Sequence, residues 1–148
     1  MIEYDGGPFV GWQRQENGPS VQQAIEDAVF HFCGERRSVQ GAGRTDAGVH
    51  AAGQVAHVDL LRSFAPTTVR DAINFHLRPA PVVVRDAVIV EESFHARFSA
   101  RNRCYRYRIL SRPAPPALER DRVWWTPLPL DVTAMTQAAA VLEGRHDF

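Results

Sequence analysis

The chain has 148 residues, 45% of them hydrophobic, which is enough for one domain with a buried core and for the start of a second. All 17 basic side chains are Arg, and 17 Asp and Glu side chains balance them, so the formal net charge is zero. A uniformly basic surface for nucleic acid is therefore excluded, and any basic site must be local.

The sequence favours a cytoplasmic protein. It has no run of about 18 apolar residues and no segment with the character of a secretory leader, so we expect no membrane span. Cys33 and Cys104 lie far apart and outside any metal-ligand spacing, which predicts reduced thiols and no disulfide.

Short strands alternate with two amphipathic helices in the first part of the chain. Residues 2–4 predict the end of a strand, and Ser20 and Gly34 are start and stop signals for a helix with an apolar stripe. Further strands are predicted at 38–40, 54–60 and 82–90, and a second helix at 67–77. This β, α, β, β, α, β order predicts an α+β domain over residues 1–100, a ferredoxin-like or RRM-like split unit with both helices on one face of the sheet.

The remainder, residues 101–148, predicts the start of a second α+β domain. A strand is expected at 101–110, with Tyr105 and Tyr107 on one face and Arg106 and Arg108 on the other. After it come a proline-rich linker, a strand at 123–126 and a helix that Asp131 caps.

Arg and aromatic residues are interleaved within residues 93–118, which contain no acidic side chain. Guanidinium groups among aromatic rings suit a phosphate backbone with splayed bases, so Arg97, Arg103 and Arg106 are candidate RNA-binding residues. The alternative is a solvated strand face whose Arg side chains pair with acids elsewhere.

A glycine-rich loop at 41–50 lies between two predicted strands and carries Asp46 close to Arg44. A phosphate-binding loop of the Walker type is excluded because the chain has no Lys. An ionised Asp46 could act as a nucleophile or a base, and the alternative is a turn residue that bonds its own backbone. The loop alone leaves both open.

The six His residues show no helical pair and no cluster with Cys, so no metal site is predicted.

Taken together, several ordered motifs resemble the tRNA pseudouridine synthase A family. They are YDG at 4–6, GWQRQ at 11–15, SVQ at 20–22, AGRTDAGVH at 42–50, FHARFSA at 94–100 and YRY at 105–107. The resemblance covers the whole chain but only part of such an enzyme. It implies the pseudouridine synthase fold, a homodimer, no cofactor or metal, and isomerisation of uridine to pseudouridine in the anticodon stem-loop of tRNA.

On the matching positions, the resemblance implies that Asp46 is the catalytic aspartate. It implies that Arg44 helps to displace the target base and that Tyr105 packs on the uracil. One departure is Cys104, since relatives often carry a basic residue there, which puts one phosphate contact in doubt.

Two other functions compete with this interpretation. A non-catalytic RRM-like RNA-binding module would explain the split unit and the Arg and aromatic residues without Asp46. A glycoside-cleaving enzyme would need a second carboxylate opposite Asp46, and the sequence offers no clear candidate.

Overall fold

A computed structural model describes residues 1–147, which form two compact units. The first unit is Met1–Cys104 and the second begins at Tyr105. Both combine helices and strands, which is the α+β class that the sequence predicts. No helix among residues 1–147 is long and apolar enough to cross a membrane.

The first unit contains five short strands and two helices. They are β1 (Ile2–Tyr4), α1 (Val21–Cys33), β2 (Gln40–Gly41), β3 (Ala51–Gln54), β4 (Ala56–His57), α2 (Pro66–Leu77) and β5 (Val82–Val84).

The central strand of the first unit is β1. It pairs antiparallel with β5, with Glu3 opposite Val83, and antiparallel with β3, with Tyr4 opposite Ala51. A second, two-stranded sheet pairs β2 with β4, also antiparallel. The loop that contains Asp46 therefore leaves one sheet at β2 and enters the other at β3.

Both helices pack on the same face of the three-stranded sheet. Alternate residues of β1 and β5 are buried, whereas Glu3 and Val83 between them are exposed. The buried strand residues share one hydrophobic core with the buried residues of α1 and α2, as the sequence predicts. That core contains Ile2, Tyr4, Val21, Ile25, Val29, Ile73, Leu77, Val82 and Val84.

Helix α1 begins and ends where its capping residues predict. The Ser20 hydroxyl accepts a hydrogen bond from the Gln23 amide at 3.2 Å and satisfies one N–H of the first turn. Gly34 adopts a left-handed conformation with φ of 78°, and its amide donates to the Phe30 carbonyl at 2.8 Å.

Three of the predicted strands have the wrong bounds. The strand predicted at 82–90 ends at Val84, where its register with β1 ends at Ile2. The strand predicted at 54–60 is displaced, because the observed strands are β3 at Ala51–Gln54 and β4 at Ala56–His57, on either side of Val55.

The strand predicted at 101–110 is confined to Ile109–Ser111. Residues 101–107 form no backbone hydrogen bond with a strand of the described chain, only the Arg108 carbonyl accepts from the Trp124 amide, and Tyr105 and Tyr107 are both exposed. The predicted division into a tyrosine face and an arginine face is therefore wrong, since a strand needs a backbone partner and not only an alternating pattern.

The second unit contains β6 (Ile109–Ser111), β7 (Trp124–Thr126), α3 (Val132–Ala139) and a short 3₁₀ turn at Ala140–Leu142. Strands β6 and β7 pair in parallel, and the Asp131 side chain caps α3 by accepting from the Ala134 amide at 2.9 Å. None of residues 105–147 is buried, so the core of the described chain belongs to the first unit.

We predict that Ser20→Ala lowers the free energy of unfolding by about 1 kcal/mol, because the buried first turn of α1 loses its side-chain cap. Urea unfolding of the two proteins measures the difference. Ser63→Ala is the matched control, since Ser63 is exposed and bonds to no residue among 1–147. Equal stability of Ser20→Ala and Ser63→Ala would contradict the capping role.

Candidate active site in the loop after β2

The loop from Ala42 to His50 is fixed at the end where it leaves β2. The Ala42 amide donates to the Val55 carbonyl at 2.7 Å. The Gln54 side chain donates to the Gly43 carbonyl, also at 2.7 Å. Both bonds tie the start of the loop to the segment that joins β3 and β4.

In its middle, the loop is anchored to the hydrophobic core through Thr45. The Tyr4 hydroxyl and the Thr45 hydroxyl are hydrogen-bonded at 2.8 Å, and the Trp12 amide donates to the Thr45 carbonyl at 2.9 Å. Tyr4 and Trp12 are each only 3% exposed. Since Thr45 directly precedes Asp46, these two bonds fix the backbone on one side of the carboxylate.

A backbone turn fixes the other side of Asp46. The Val49 amide donates to the Asp46 carbonyl at 3.2 Å, and the Gly48 amide donates to the Phe9 carbonyl at 3.3 Å. Gly48 has φ of 77°, a left-handed conformation that favours glycine. Phe9 is buried, so this side of the loop is also attached to the core.

The last residue of the loop, His50, joins it to the YDG motif at the end of β1. Its Nδ1 atom lies 3.1 Å from the Gly6 amide and 3.0 Å from the Asp5 carboxylate. A Cβ atom on Gly6 would come within 2.1 Å of the Val49 carbonyl oxygen, so only glycine permits this close approach. The two motifs are therefore in direct contact.

Asp46 itself is exposed, and its carboxylate accepts no hydrogen bond and forms no ion pair with any of residues 1–147. The turn at 46–49 uses the Asp46 backbone carbonyl and not its side chain. This does not fit the alternative of a structural turn residue, whose carboxylate would bond nearby backbone amides. The loop is held by its neighbours, and its acidic group is presented to solvent.

Arg44 lies on the same loop and is also exposed. Within the described residues its guanidinium forms no ion pair and no hydrogen bond. The loop thus carries two exposed side chains, Arg44 and Asp46, that have no partner among residues 1–147 and are available to a ligand.

The segment that contains Arg97 is linked to this loop through its backbone groups, not through the Arg97 side chain. The Ala96 amide donates to His57 Nδ1 on β4 at 3.2 Å, and Ala96 is buried. The Arg103 guanidinium donates to the carbonyls of both Arg97 and Ala42, which joins the two segments. The Arg97 side chain is exposed and lies 6.0 Å from the Phe98 ring centre.

Tyr105 and Arg106 are the first residues of the second unit, and both are exposed. Neither side chain has a hydrogen bond or ion pair with a described residue. Their roles at the site stay predictions.

Three residues that position the loop were not identified as such from the sequence, namely Tyr4, Trp12 and Arg103. The first two lie in the YDG and GWQRQ motifs, which are too short to show a period. A Cβ atom on Gly41 would lie 2.6 Å from the Trp12 ring, so the glycine before the loop serves packing against this ring. Arg103 was grouped with the other Arg residues as an RNA contact.

The described residues contain no group of three or more His, Cys, Asp and Glu side chains that could hold a metal ion. The functional groups that the loop itself presents are the Asp46 carboxylate and the Arg44 guanidinium. Such a carboxylate can attack an electrophilic carbon or remove a proton, and the guanidinium can bind an anion or replace a stacked base.

The fold and the site together define a class of protein. It is an α+β unit that presents a carboxylate on a loop anchored to the hydrophobic core. A family model described as tRNA pseudouridine synthase matches residues 1–99, which include the whole loop. The chain belongs to the tRNA pseudouridine synthase family.

Similar proteins carry the same description. The chain is 58% identical to tRNA pseudouridine synthase A of Rhodospirillum rubrum, over 99% of this chain and 53% of that protein. It is 57% identical to tRNA pseudouridine synthase A of Paramagnetospirillum magneticum, over 100% of this chain and 58% of that protein. The corresponding protein of Nitrobacter winogradskyi is 60% identical over 99% of this chain and 58% of its own length. The chain thus spans little more than half the length of these curated relatives.

We predict that Gly11→Ala loosens the loop. Gly11 has φ of 123°, and a Cβ atom there would lie 2.6 Å from the Thr45 carbonyl oxygen, which accepts from the Trp12 amide. Hydrogen exchange of the Trp12 and Gly48 amides should therefore become faster.

Gly34→Ala is the matched control for this change. Gly34 also has a positive φ, but a Cβ atom there would meet nothing within 4 Å. It should reduce stability by about 1 kcal/mol without a selective effect on the loop. The same exchange pattern in both variants would show that Gly11 has no specific effect on Thr45.

Proposed function

We propose that the protein isomerises uridine to pseudouridine in the anticodon stem-loop of tRNA, with Asp46 as the catalytic residue. The observation that carries this proposal is the Asp46 carboxylate, which is exposed and unbonded within residues 1–147 while the backbone on both sides of it is fixed. Family membership supplies the reaction, and the loop supplies a group that can perform it.

The reaction exchanges one bond of the ribose for another. The bond from C1′ to N1 of uracil breaks, the base turns, and a bond forms from C1′ to C5. The proton on C5 leaves and N1 gains one, so the product is an isomer of the substrate. A fixed carboxylate near C1′ can attack that carbon or take the 2′ proton, and both routes use Asp46 in its ionised form.

A uridine inside a stem must leave the helix before a carboxylate can reach its C1′ atom. Extrusion costs a few kcal/mol and is helped by a side chain that takes the place of the base. Arg44 is suited to this role because it is exposed two residues before Asp46. We assign to Tyr105 the packing of the extruded uracil, and to Arg97 and Arg106 contacts with the phosphate backbone.

We propose that the first unit is a ferredoxin-like split β-α-β-β-α-β unit, the catalytic-loop domain of residues 1–100. In support, β3 and β4 are separated only by Val55, and β4 pairs with β2. If β3 and β4 are counted as one strand, the order across the sheet is β5, β1, β3–β4, β2. Every neighbouring pair in that order is antiparallel. We propose that residues 101–148 begin a second α+β domain, and that the whole protein is a cytoplasmic homodimer, as the family implies.

The alternative function, a non-catalytic RRM-like RNA-binding module, is less well supported than the synthase, because the outer face of the sheet lacks the residues that such a module uses. Modules of that kind stack bases on aromatic residues of their central strands. Here the exposed residues of the central strands β1 and β3 are Glu3, Ala52 and Gly53, and none of them is aromatic. The exposed charge and hydrogen-bonding groups that suit RNA gather in the loop instead.

We predict that Asp46→Asn in the full-length protein abolishes pseudouridine formation in tRNA transcripts. The change keeps the size of the side chain but removes the charge that either route requires. Affinity for tRNA should stay equal or rise slightly, since a negative charge has left a surface that faces phosphates.

Asp59→Asn is the matched control for this experiment. Asp59 is exposed on the same unit and forms no hydrogen bond or ion pair with residues 1–147, so its loss removes the same charge from another place. It should keep full activity. An active Asp46→Asn protein would refute the proposed mechanism, and joint loss of activity and affinity would restore a structural role for Asp46.

We also predict that Arg97 and Arg106 contribute electrostatically to RNA binding. Each replacement by Ala should reduce the slope of log K against log salt by roughly 0.7 to 0.9, because one phosphate contact fewer releases one counterion fewer. Arg70→Ala is the control, since Asp71 lies 2.7 Å from the Arg70 guanidinium and already neutralises it. An unchanged slope in the double variant would remove both residues from the RNA contact surface.

A further inference from the structure

We infer that Arg103 is a positioning residue for the loop that carries Asp46, and that it acts through the Ala42 carbonyl and not through a phosphate. The inference rests on the proposed function, because its consequence is a change in the rate of pseudouridine formation.

The Arg103 guanidinium is already engaged by the backbone. Its Nε and Nη2 atoms donate to the Ala42 carbonyl at 3.1 and 2.8 Å, and Nη2 also donates to the Arg97 carbonyl at 3.1 Å. A planar guanidinium can place several donors on neighbouring acceptors at once, which an ammonium group cannot do in the same geometry. The side chain is exposed, yet these three bonds hold it in one place.

The backbone at Ala42 depends on contacts from outside the loop for its position. It lies between Gly41 and Gly43, so the backbone there has little stiffness of its own. The Ala42 amide is held by the Val55 carbonyl, and Arg103 supplies two donors to its carbonyl. Arg103 and Gln54 are the two side chains that donate to the carbonyls of this stretch among the described residues.

The same guanidinium also sets the position of Arg97. The backbone of that segment is held at Ala96 by His57 and at the Arg97 carbonyl by Arg103. One side chain therefore connects the loop that carries the catalytic carboxylate with the segment that carries an RNA-binding residue. Loss of Arg103 should displace the loop at Ala42, whereas the Arg97 segment keeps its second anchor at Ala96.

The test compares Arg103→Ala, Arg103→Lys and Arg101→Ala in the full-length protein, by the single-turnover rate of pseudouridine formation, tRNA affinity and melting temperature. Arg101 is the matched contrast, because it is exposed and its side chain bonds to no residue among 1–147. Any loss of affinity that both Ala variants share reports the loss of one positive charge.

We expect Arg103→Ala to react about 10 to 100 times more slowly at saturating tRNA, because misplacing a reacting group by about 1 Å has effects of that size. Its affinity and melting temperature should match those of Arg101→Ala. Arg103→Lys should restore the affinity but only part of the rate, since it keeps the charge and loses the fork. If Arg103→Ala does not fold, the partial rate of Arg103→Lys at normal affinity carries the test.

Two results would overturn the inference. The first is a saturating rate in Arg103→Ala that equals that of Arg101→Ala. The second is a wild-type rate in Arg103→Lys, because the charge without the planar fork would then be sufficient, whatever the melting temperature of Arg103→Ala. An inactive wild-type protein in the same assay would instead refute the proposed function, so the two failures are distinguishable.

Discussion

The position of Asp46 depends on the two hydrogen bonds that the buried residues Tyr4 and Trp12 make with Thr45. Tyr4 belongs to β1, so its hydroxyl reaches the loop from the middle strand of the three-stranded sheet. Trp12 is fixed from the other side, because its carbonyl accepts from the Gln22 amide in the first turn of α1. The core, the helix start and the loop thus form one continuous hydrogen-bonded structure.

This arrangement separates the support of the loop from its chemistry. The supporting contacts use backbone groups, hydroxyls, the amide of Gln54, the His50 ring and the Arg103 guanidinium, whereas the Arg44 and Asp46 side chains have no partner among residues 1–147. A carboxylate that only stabilised the loop would be expected to accept bonds from it. Ionic groups kept out of the supporting network remain able to act on a ligand, which is what a catalytic role requires.

Local signals predicted local structure well. Ser20 and Gly34 define α1 because a cap is a contact between residues three or four apart. The ends of the strands were wrong at Val84 and before Ile109, because strand length is set by a distant partner that an alternating pattern does not identify.

The sequence likewise predicts only the part of the site that is formed by residues close together in the chain. The glycine-rich loop and Asp46 could be recognised because their residues are contiguous and form a motif. The residues that hold the loop could not, since Tyr4 lies 41 residues from Thr45 and Arg103 lies 61 residues from Ala42. The family resemblance indicated the function, but only the structure shows that Tyr4, Trp12 and Arg103 hold the loop.

The most direct test of the account is to map pseudouridine, nucleotide by nucleotide, in unmodified tRNA transcripts after incubation with the full-length protein. The account predicts new pseudouridine in the anticodon stem-loop, formed without added metal or cofactor. Transcripts that bind the protein and remain unmodified would contradict it, and would leave an RNA-binding protein whose Asp46 has no catalytic role.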